Sequence, residues 1–273
     1  MQKQRLDLLL VEHGLAESRA KAQALVMAGQ VRVDGQVELK ASAAIPQDAH
    51  LDLETGPRFV SRGGEKLDAA LISFPIIVDG RVCADVGSST GGFTDCLLQH
   101  GAGKVYAIDV GKGLLHWKLR NDPRLSILEG TNARHLKKLP EPVSLVTVDA
   151  SFISLKILLP VVKNWLEPSS SYPLFSERRG EKERCVIALI KPQFEAGRRE
   201  TAHGKGVIRD PEVHKTVLTE VLIFARGQGL NVCGLIRSPL LGPKGNVEFL
   251  VWMGVGDARQ TDISGLVQRV LGE

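Results

Sequence analysis

The chain of 273 residues is 43% apolar and 24% charged, the composition of an ordinary globular protein with room for one large domain and a small one. Its formal charge is only +4, yet residues 177–209 hold nine bases against five acids and so account for it, a distribution that suits a polyanionic substrate. No apolar run reaches the roughly 20 residues that cross a bilayer, the N-terminal residues lack the apolar core of a signal peptide, and Cys83, Cys96, Cys185 and Cys233 form no CxxC pair. Those features predict a cytoplasmic protein with buried, reduced thiols and no disulfide or metal site.

Taken in order, Leu6, Leu9 and Leu10 sit at helical spacing ahead of a Gly14 stop. Ser18 can cap a second helix from Arg19 to Ala28, with Ala22, Leu25 and Val26 on its apolar face and Gly29 ending it. Residues 31–37 alternate around Asp34-Gly35, a hairpin signal. The module closes near Leu53, and Glu54-Thr55-Gly56-Pro57 is turn chemistry. The predicted division is a domain over 1–55, a linker over 56–62 and a second domain over 63–273. Residues 5–7, 14–22 and 28–35 closely resemble the S4 RNA-binding domain. The resemblance implies that Ser18, Arg19, Lys21 and Arg32 face RNA phosphate, read by shape and charge. Arg5, Arg62 and Lys205 are assigned to the same partner.

Lys66 falls in the first turn of a helix starting at Glu65, where a cation opposes the helix dipole. Such a local breach often marks function. From Arg81 onward strands and helices alternate: strands over 82–86, 104–109, 126–129, 143–149 and 185–190, helices over 92–100, 154–166 and 211–228. Two further strands, 230–238 and 247–254, close the domain, and the polar insertion 168–184 reads as a flexible loop. This is an α/β pattern, a doubly wound Rossmann-like sheet behind a small α+β domain, with ligands expected beyond the carboxyl ends of the strands. Asp85, Asp109, Asp149 and Lys191 all fall at those ends.

The segment Asp85-Val86-Gly87-Ser88-Ser89-Thr90-Gly91-Gly92-Phe93-Thr94-Asp95 is a strand end, a glycine turn and a helix start, which offers backbone N–H groups to a small ligand. Its spacing is not GxGxxG, and Asp85 would repel a pyrophosphate. The expected ligand is therefore S-adenosyl-L-methionine, with Asp85 facing its cationic methionine end. Gly87, Ser89, Thr90, Gly91, Gly92 and Phe93 form the cradle, and Asp109 binds ribose hydroxyls, as it would in an NAD site too. Methyl transfer to a hydroxyl needs in-line attack and a base. Lys191 ends an apolar strand, where lost solvation and a second cation at Lys66 favour a neutral amine. Asp149 and Glu248 oppose that tendency but orient the amine; a structural ion pair at the sheet edge is the competing explanation.

Residues 85–95, 148–155, 190–195, 204–211 and 245–249 together look like the TlyA family, and the match runs end to end. These are bacterial ribosomal RNA 2′-O-methyltransferases, historically labelled hemolysins, with an FtsJ/RrmJ-type catalytic domain behind an S4 domain. The resemblance implies a Lys-Asp-Lys-Glu tetrad at Lys66, Asp149, Lys191 and Glu248, and ribosomal RNA within ribosomal subunits as the partner, methylated on cytidine ribose. It places the adenine contact at Thr131 and Asn132, where many such enzymes carry an acid. It also assigns Arg58-Phe59-Val60-Ser61, or a one-residue shift of it, to cofactor binding. Other enzymes fit less well: Asp149-Ala150-Ser151-Phe152 lacks the prolines of base-amine methyltransferases, no cysteine stands ready for carbon-5 methylation, and a pseudouridine synthase has no use for residues 85–95. A membrane-active hemolysin would need an amphipathic or spanning segment, and a non-catalytic RNA-binding protein would not need the tetrad.

Overall fold

The computed structural model describes residues 3–54, 56–166, 184–197, 206–255 and 261–272. The chain forms two compact units, Met1–Arg58 and Phe59–Glu273. In the first, β1 (Lys3–Arg5) leads into helices Leu6–Glu12 and Arg19–Met27, followed by β2 (Val31–Val33), β3 (Gln36–Val37), β4 (Ala44–Pro46) and β5 (Leu51–Leu53). Ser18 caps the second helix by accepting from the Lys21 amide at 3.3 Å. Asp34 and Gly35 both adopt positive φ, 51° and 81°, so the β2–β3 turn has the twist a tight hairpin needs. β1 pairs antiparallel with β4, a two-stranded sheet that sequence pattern did not anticipate, because three-residue strands carry no periodicity. Leu6, Leu9, Leu10, Ala22, Val26 and Val31 make the core.

Within that core lies an acid. Asp7 is fully buried and accepts from Arg5 Nη2 (2.8 Å), Arg19 Nε (3.0 Å) and Gln23 Nε2 (2.8 Å). A buried carboxylate is tolerated only when its lone pairs are taken up in this way.

The second unit holds a seven-stranded sheet of β6 (Val82–Val86), β7 (Lys104–Ile108), β8 (Leu125–Leu128), β9 (Leu145–Val148), β10 (Cys185–Ile190), β11 (Leu230–Arg237) and β12 (Phe249–Val255), ordered β11-β12-β10-β9-β6-β7-β8. The run from β8 to β10 is parallel, and β12 is antiparallel to both its neighbours. Helices Gly63–Ser73 and Gly92–Gln99 cover one face through Leu67, Leu71, Phe93 and Leu97. Helices Leu155–Lys163, Pro211–Gly227 and Ile263–Leu271 cover the other. Strand order reverses between β6 and β9, the point where such sheets open a ligand crevice.

The doubly wound expectation holds, with differences at the margins. Short helices Trp117–Arg120 and Pro192–Glu195, and the amphipathic Ile263–Leu271, are additional. The helix after β9 stops at Lys163 with Pro160 inside it. Of the insertion 168–184, all but Arg184 lies outside the described residues. Among those described, no helix is long and apolar enough to cross a membrane.

Arg5 above all, helped by Gln23 and Arg19, holds the Asp7 carboxyl well below its ordinary range. A carboxyl lowered on folding contributes stability at neutral pH that is lost only as pH falls through the lowered value. Asp7→Ala should destabilise the first unit by roughly 2 kcal/mol at pH 7, seen as faster amide exchange over residues 3–54 with β6–β10 unchanged. The difference from wild type should shrink in strong acid.

Candidate active site

A cleft of about 650 Å³ opens at the carboxyl ends of the central strands, within the range of small-molecule sites. Its floor is the turn after β6. Gly87 has φ +81°, and a Cβ there would stand 2.7 Å from the Asp149 carbonyl oxygen, so the chain ends of β6 and β9 meet at a point only glycine can occupy. The Gly87 amide donates to the Ile108 carbonyl at 2.8 Å, tying the turn to β7 as well. Gly92, the first residue of the next helix, abuts Ser61 Oγ and the Gly64 amide, again without room for a side chain. Ser61, Arg62, Ser89, Thr90 and Phe93 line the cleft beside the turn.

Asp85 does not open onto this cleft, contrary to the expectation that it faces a cationic ligand. It is fully buried beneath the turn, where its two oxygens accept from Thr94 Oγ1 (2.7 Å) and Thr147 Oγ1 (2.9 Å). It thereby joins β6 to the following helix and to β9. Asp109 is half-buried, and its carboxylate takes the backbone amides of Ser89 (2.8 Å) and Gly111 (2.7 Å). It pins the glycine turn, and each oxygen keeps a lone pair for a further donor. The Thr131 amide donates to the Asp109 carbonyl (2.8 Å), while Asn132 Oδ1 caps the short turn Ala133–His135 through the Arg134 amide (3.1 Å).

Four ionisable groups line the same cleft in two pairs. Lys66 Nζ lies 2.6 Å from Glu248 Oε2, with 10% and 1% side-chain exposure. This pair, 182 positions apart in sequence, explains the cation in the first helical turn. Lys191 Nζ lies 2.6 Å from Asp149 Oδ1 and donates to Ser151 Oγ at 3.0 Å. Each lysine thus has its own acid. Gln193 Nε2 donates to Glu248 Oε1 at 3.2 Å, a contact that its place two residues after Lys191, on the same cleft wall, could have suggested.

The motif after β9 is held open by strain and by an acid. Phe152 has φ +63°, rare for a non-glycine residue, and is 89% exposed at the rim, its ring 4.9 Å from that of Phe194. Glu195 accepts from Ser154 Oγ (2.5 Å) and the Leu155 amide (2.7 Å), locking the loop 149–154 to the helix that follows Lys191. Burial pushes the Glu195 carboxyl up.

In the linker, Phe59 is buried against Gly64 and the Val60 amide donates to Asp95 Oδ2 (2.8 Å), so this stretch braces the glycine-turn helix. In the first unit, Arg5 and Arg19 both bind Asp7, and Arg32 binds Glu54 (2.7 Å), each guanidinium remaining part-exposed. Ser18 is occupied as a cap and Lys21 is exposed. Lys205 lies outside the described residues. Of the cysteines, Cys96 stands with Asp68 and His100, their ligand atoms within 4.8 Å of one another, His100 Nε2 and Asp68 Oδ1 already bonded at 2.7 Å.

Comparison with known proteins places both units. The profile of the FtsJ-like methyltransferase family matches residues 59–255, and that of the S4 domain matches residues 4–45. The Bacillus subtilis protein YqxC is 44% identical over 281 residues, covering 99% of this chain and 94% of that one. The 16S/23S rRNA (cytidine-2′-O)-methyltransferase TlyA of Mycobacterium tuberculosis is 40% identical over 276 residues, covering 98% and 97%. Among solved structures, a Streptococcus thermophilus protein bearing the hemolysin name is 38% identical with a TM-score of 0.71, covering 100% of this chain and 95% of its own.

The buried Asp85 makes stability depend on pH. Burial pushes its carboxyl up to about 7, against the two threonine hydrogen bonds that favour the anion. A carboxyl raised on folding costs stability as pH climbs from the unfolded value through the folded one. Asp85→Asn, which keeps one acceptor and one donor for the threonines, should therefore melt a few degrees above wild type at pH 8. The gap should close below pH 4, the ordinary carboxylate range.

Proposed function

The chain belongs to the TlyA family of rRNA methyltransferases, with an FtsJ-like domain behind an S4 domain, and on that premise we propose that it transfers a methyl group from S-adenosyl-L-methionine to a ribose 2′-hydroxyl of ribosomal RNA. Cytidine is the nucleoside for which its Mycobacterium tuberculosis relative is named. The observation that carries the proposal is the shared cleft: the glycine turn and the Lys66–Glu248 and Lys191–Asp149 pairs all line it.

S-adenosyl-L-methionine supplies an electrophilic methyl on sulfur. The residues fit it: Gly87 and Gly92 expose backbone to the cleft, Ser89, Thr90 and Phe93 flank them, and Gly91 holds the turn between them in its left-handed conformation. Asp109 has spare acceptor capacity for ribose hydroxyls, the Thr131 amide bonds its carbonyl, and Thr131 and Asn132 take the adenine. Lys191, oriented by Asp149 and Ser151, enters the step as the neutral amine and takes the proton from the 2′-hydroxyl, becoming the ammonium that pairs with Asp149. Lys66 and Glu248 form a buried ion pair, extended by the half-buried Gln193, that leaves no charge uncompensated. The exposed Phe152 ring beside Phe194 gives an unstacked base an aromatic face next to the reacting ribose.

Residues 1–55 act as the S4-like RNA-binding module, 56–62 as the linker and 63–273 as the catalytic domain. Lys21 and the exposed parts of Arg5, Arg19 and Arg32 supply phosphate contacts, with Ser18 presenting the helix N-terminus; Arg62, which lines the cleft, and Lys205 serve the same partner. The working compartment is the cytoplasm, where ribosomal subunits are found.

Purified protein incubated with ribosomal subunits and methyl-labelled S-adenosyl-L-methionine should place label in RNA at a linkage resistant to alkali, since a 2′-O-methyl group blocks cleavage at its own phosphodiester. Label confined to bases, or no label in any RNA, would sink the proposal.

A further inference from the structure

The segment between β7 and β8 leaves a large apolar surface uncovered. Trp117 is 68% exposed, Val110 68% and Leu114 49%. One such side chain needs no explanation, but three within eight residues form a patch. The indole is also held in place. Its ring lies 5.7 Å from the His116 ring at 29°, and Lys118 Nζ stands 6.0 Å above it. The His116 amide donates to the Thr90 carbonyl at 3.1 Å, and Leu115 and Leu119 are buried against Gly91. The patch is therefore fastened to the glycine turn.

Charge selects the partner. Residues 110–138 contain seven bases and two acids. Arg120 pairs with Glu129 and Arg124 with Asp122, so both acids are neutralised within the segment. The remaining bases, Lys112, Lys118, Arg134, Lys137 and Lys138, are all exposed. An exposed indole with one lysine over its face and four more exposed bases on the same segment fits a polyanion that also has π faces. A duplex hides those faces in its own stack, and an acidic peptide would leave the indole unused.

We propose that Trp117 is a stacking platform for an unpaired nucleotide of the RNA substrate, with Lys112 and Lys118 taking the adjoining phosphates. This deepens the RNA reading given above and rests on it. Phe152 lines the cleft and Trp117 does not, so the platform grips a nucleotide other than the one being modified.

The full chain and its Trp117→Leu and Trp117→Phe variants are titrated with a short fluorescent single-stranded RNA, with the matching duplex and with polyglutamate, and assayed for methyl transfer to ribosomal subunits. Trp117→Leu, which keeps apolar bulk but has no π face, should weaken single-strand binding about tenfold. Trp117→Phe should recover most of that loss, and duplex and polyglutamate binding should stay as in wild type. The KM for subunits should rise with kcat unchanged, and an unaltered melting temperature of the leucine variant confirms its fold. Equal binding by wild type and Trp117→Leu, or an equal loss for all three probes, overturns the platform. If wild type grips the single strand through Trp117 yet transfers no methyl group, the platform stands and the methyl-transfer reading fails.

Discussion

The contact between Gly87 and the Asp149 carbonyl is the constraint around which the catalytic unit is arranged. Parallel strands β6 and β9 are neighbours at the reversal of strand order, and their ends approach so closely that any side chain at position 87 would collide with backbone. One consequence is that the glycine turn and the loop bearing Asp149, Ser151 and Phe152 share one cleft. A second is that the load beneath the turn must be carried by polar groups with no access to solvent, which is the place Asp85 fills between Thr94 and Thr147. Lys66 and Glu248, which also line the cleft, join the first helix of the unit to the lead-in of β12. The two ion pairs thus do structural and chemical work together. Their carboxylates hold the amines, and the amines keep the carboxylates from being buried charges without partners.

The aromatic rim adds a second physical theme. Phe152 adopts a backbone conformation that costs energy and gains no burial in return. Trp117 is likewise exposed although its neighbours Leu115 and Leu119 are buried. Folding alone accounts for neither, whereas a substrate with flat apolar faces accounts for both. The first unit contributes charge without such faces, and the internal grip of Asp7 on Arg5 and Arg19 presents those guanidinium groups in fixed positions.

Much of this was legible in residue order. β6 and β10 begin and end where their apolar runs do, Ser18 caps its helix, and Asp34-Gly35 turns its hairpin. Lys66 announced itself by breaking the helix-dipole rule, but its partner could not be read locally because Glu248 lies 182 positions away. Asp85 misled for a related reason. An acid at a strand end looks the same in sequence whether it faces a ligand or a buried threonine, and Thr147 comes from a different strand. Trp117–Arg120 and Pro192–Glu195 are single turns, too short for periodicity. Ile263–Leu271 was within reach, since Ile263, Leu266, Val267 and Val270 repeat at helical spacing. The excess charge of residues 110–138 is plain from a count, but which bases its two acids take up is not, since Arg120–Glu129 and Arg124–Asp122 are set by the fold.

The central claim is that Lys191 acts on the reacting hydroxyl and is not merely one half of a structural ion pair. Measuring methyl transfer and S-adenosyl-L-methionine affinity on the same preparation of Lys191→Ala separates the two. A chemical role predicts that transfer is lost by a factor of at least about 10² while the folded variant binds the cofactor as in wild type, whatever melting temperature is lost with the Asp149 partner. Transfer near the wild-type rate, or cofactor binding lost in step with transfer, would contradict it.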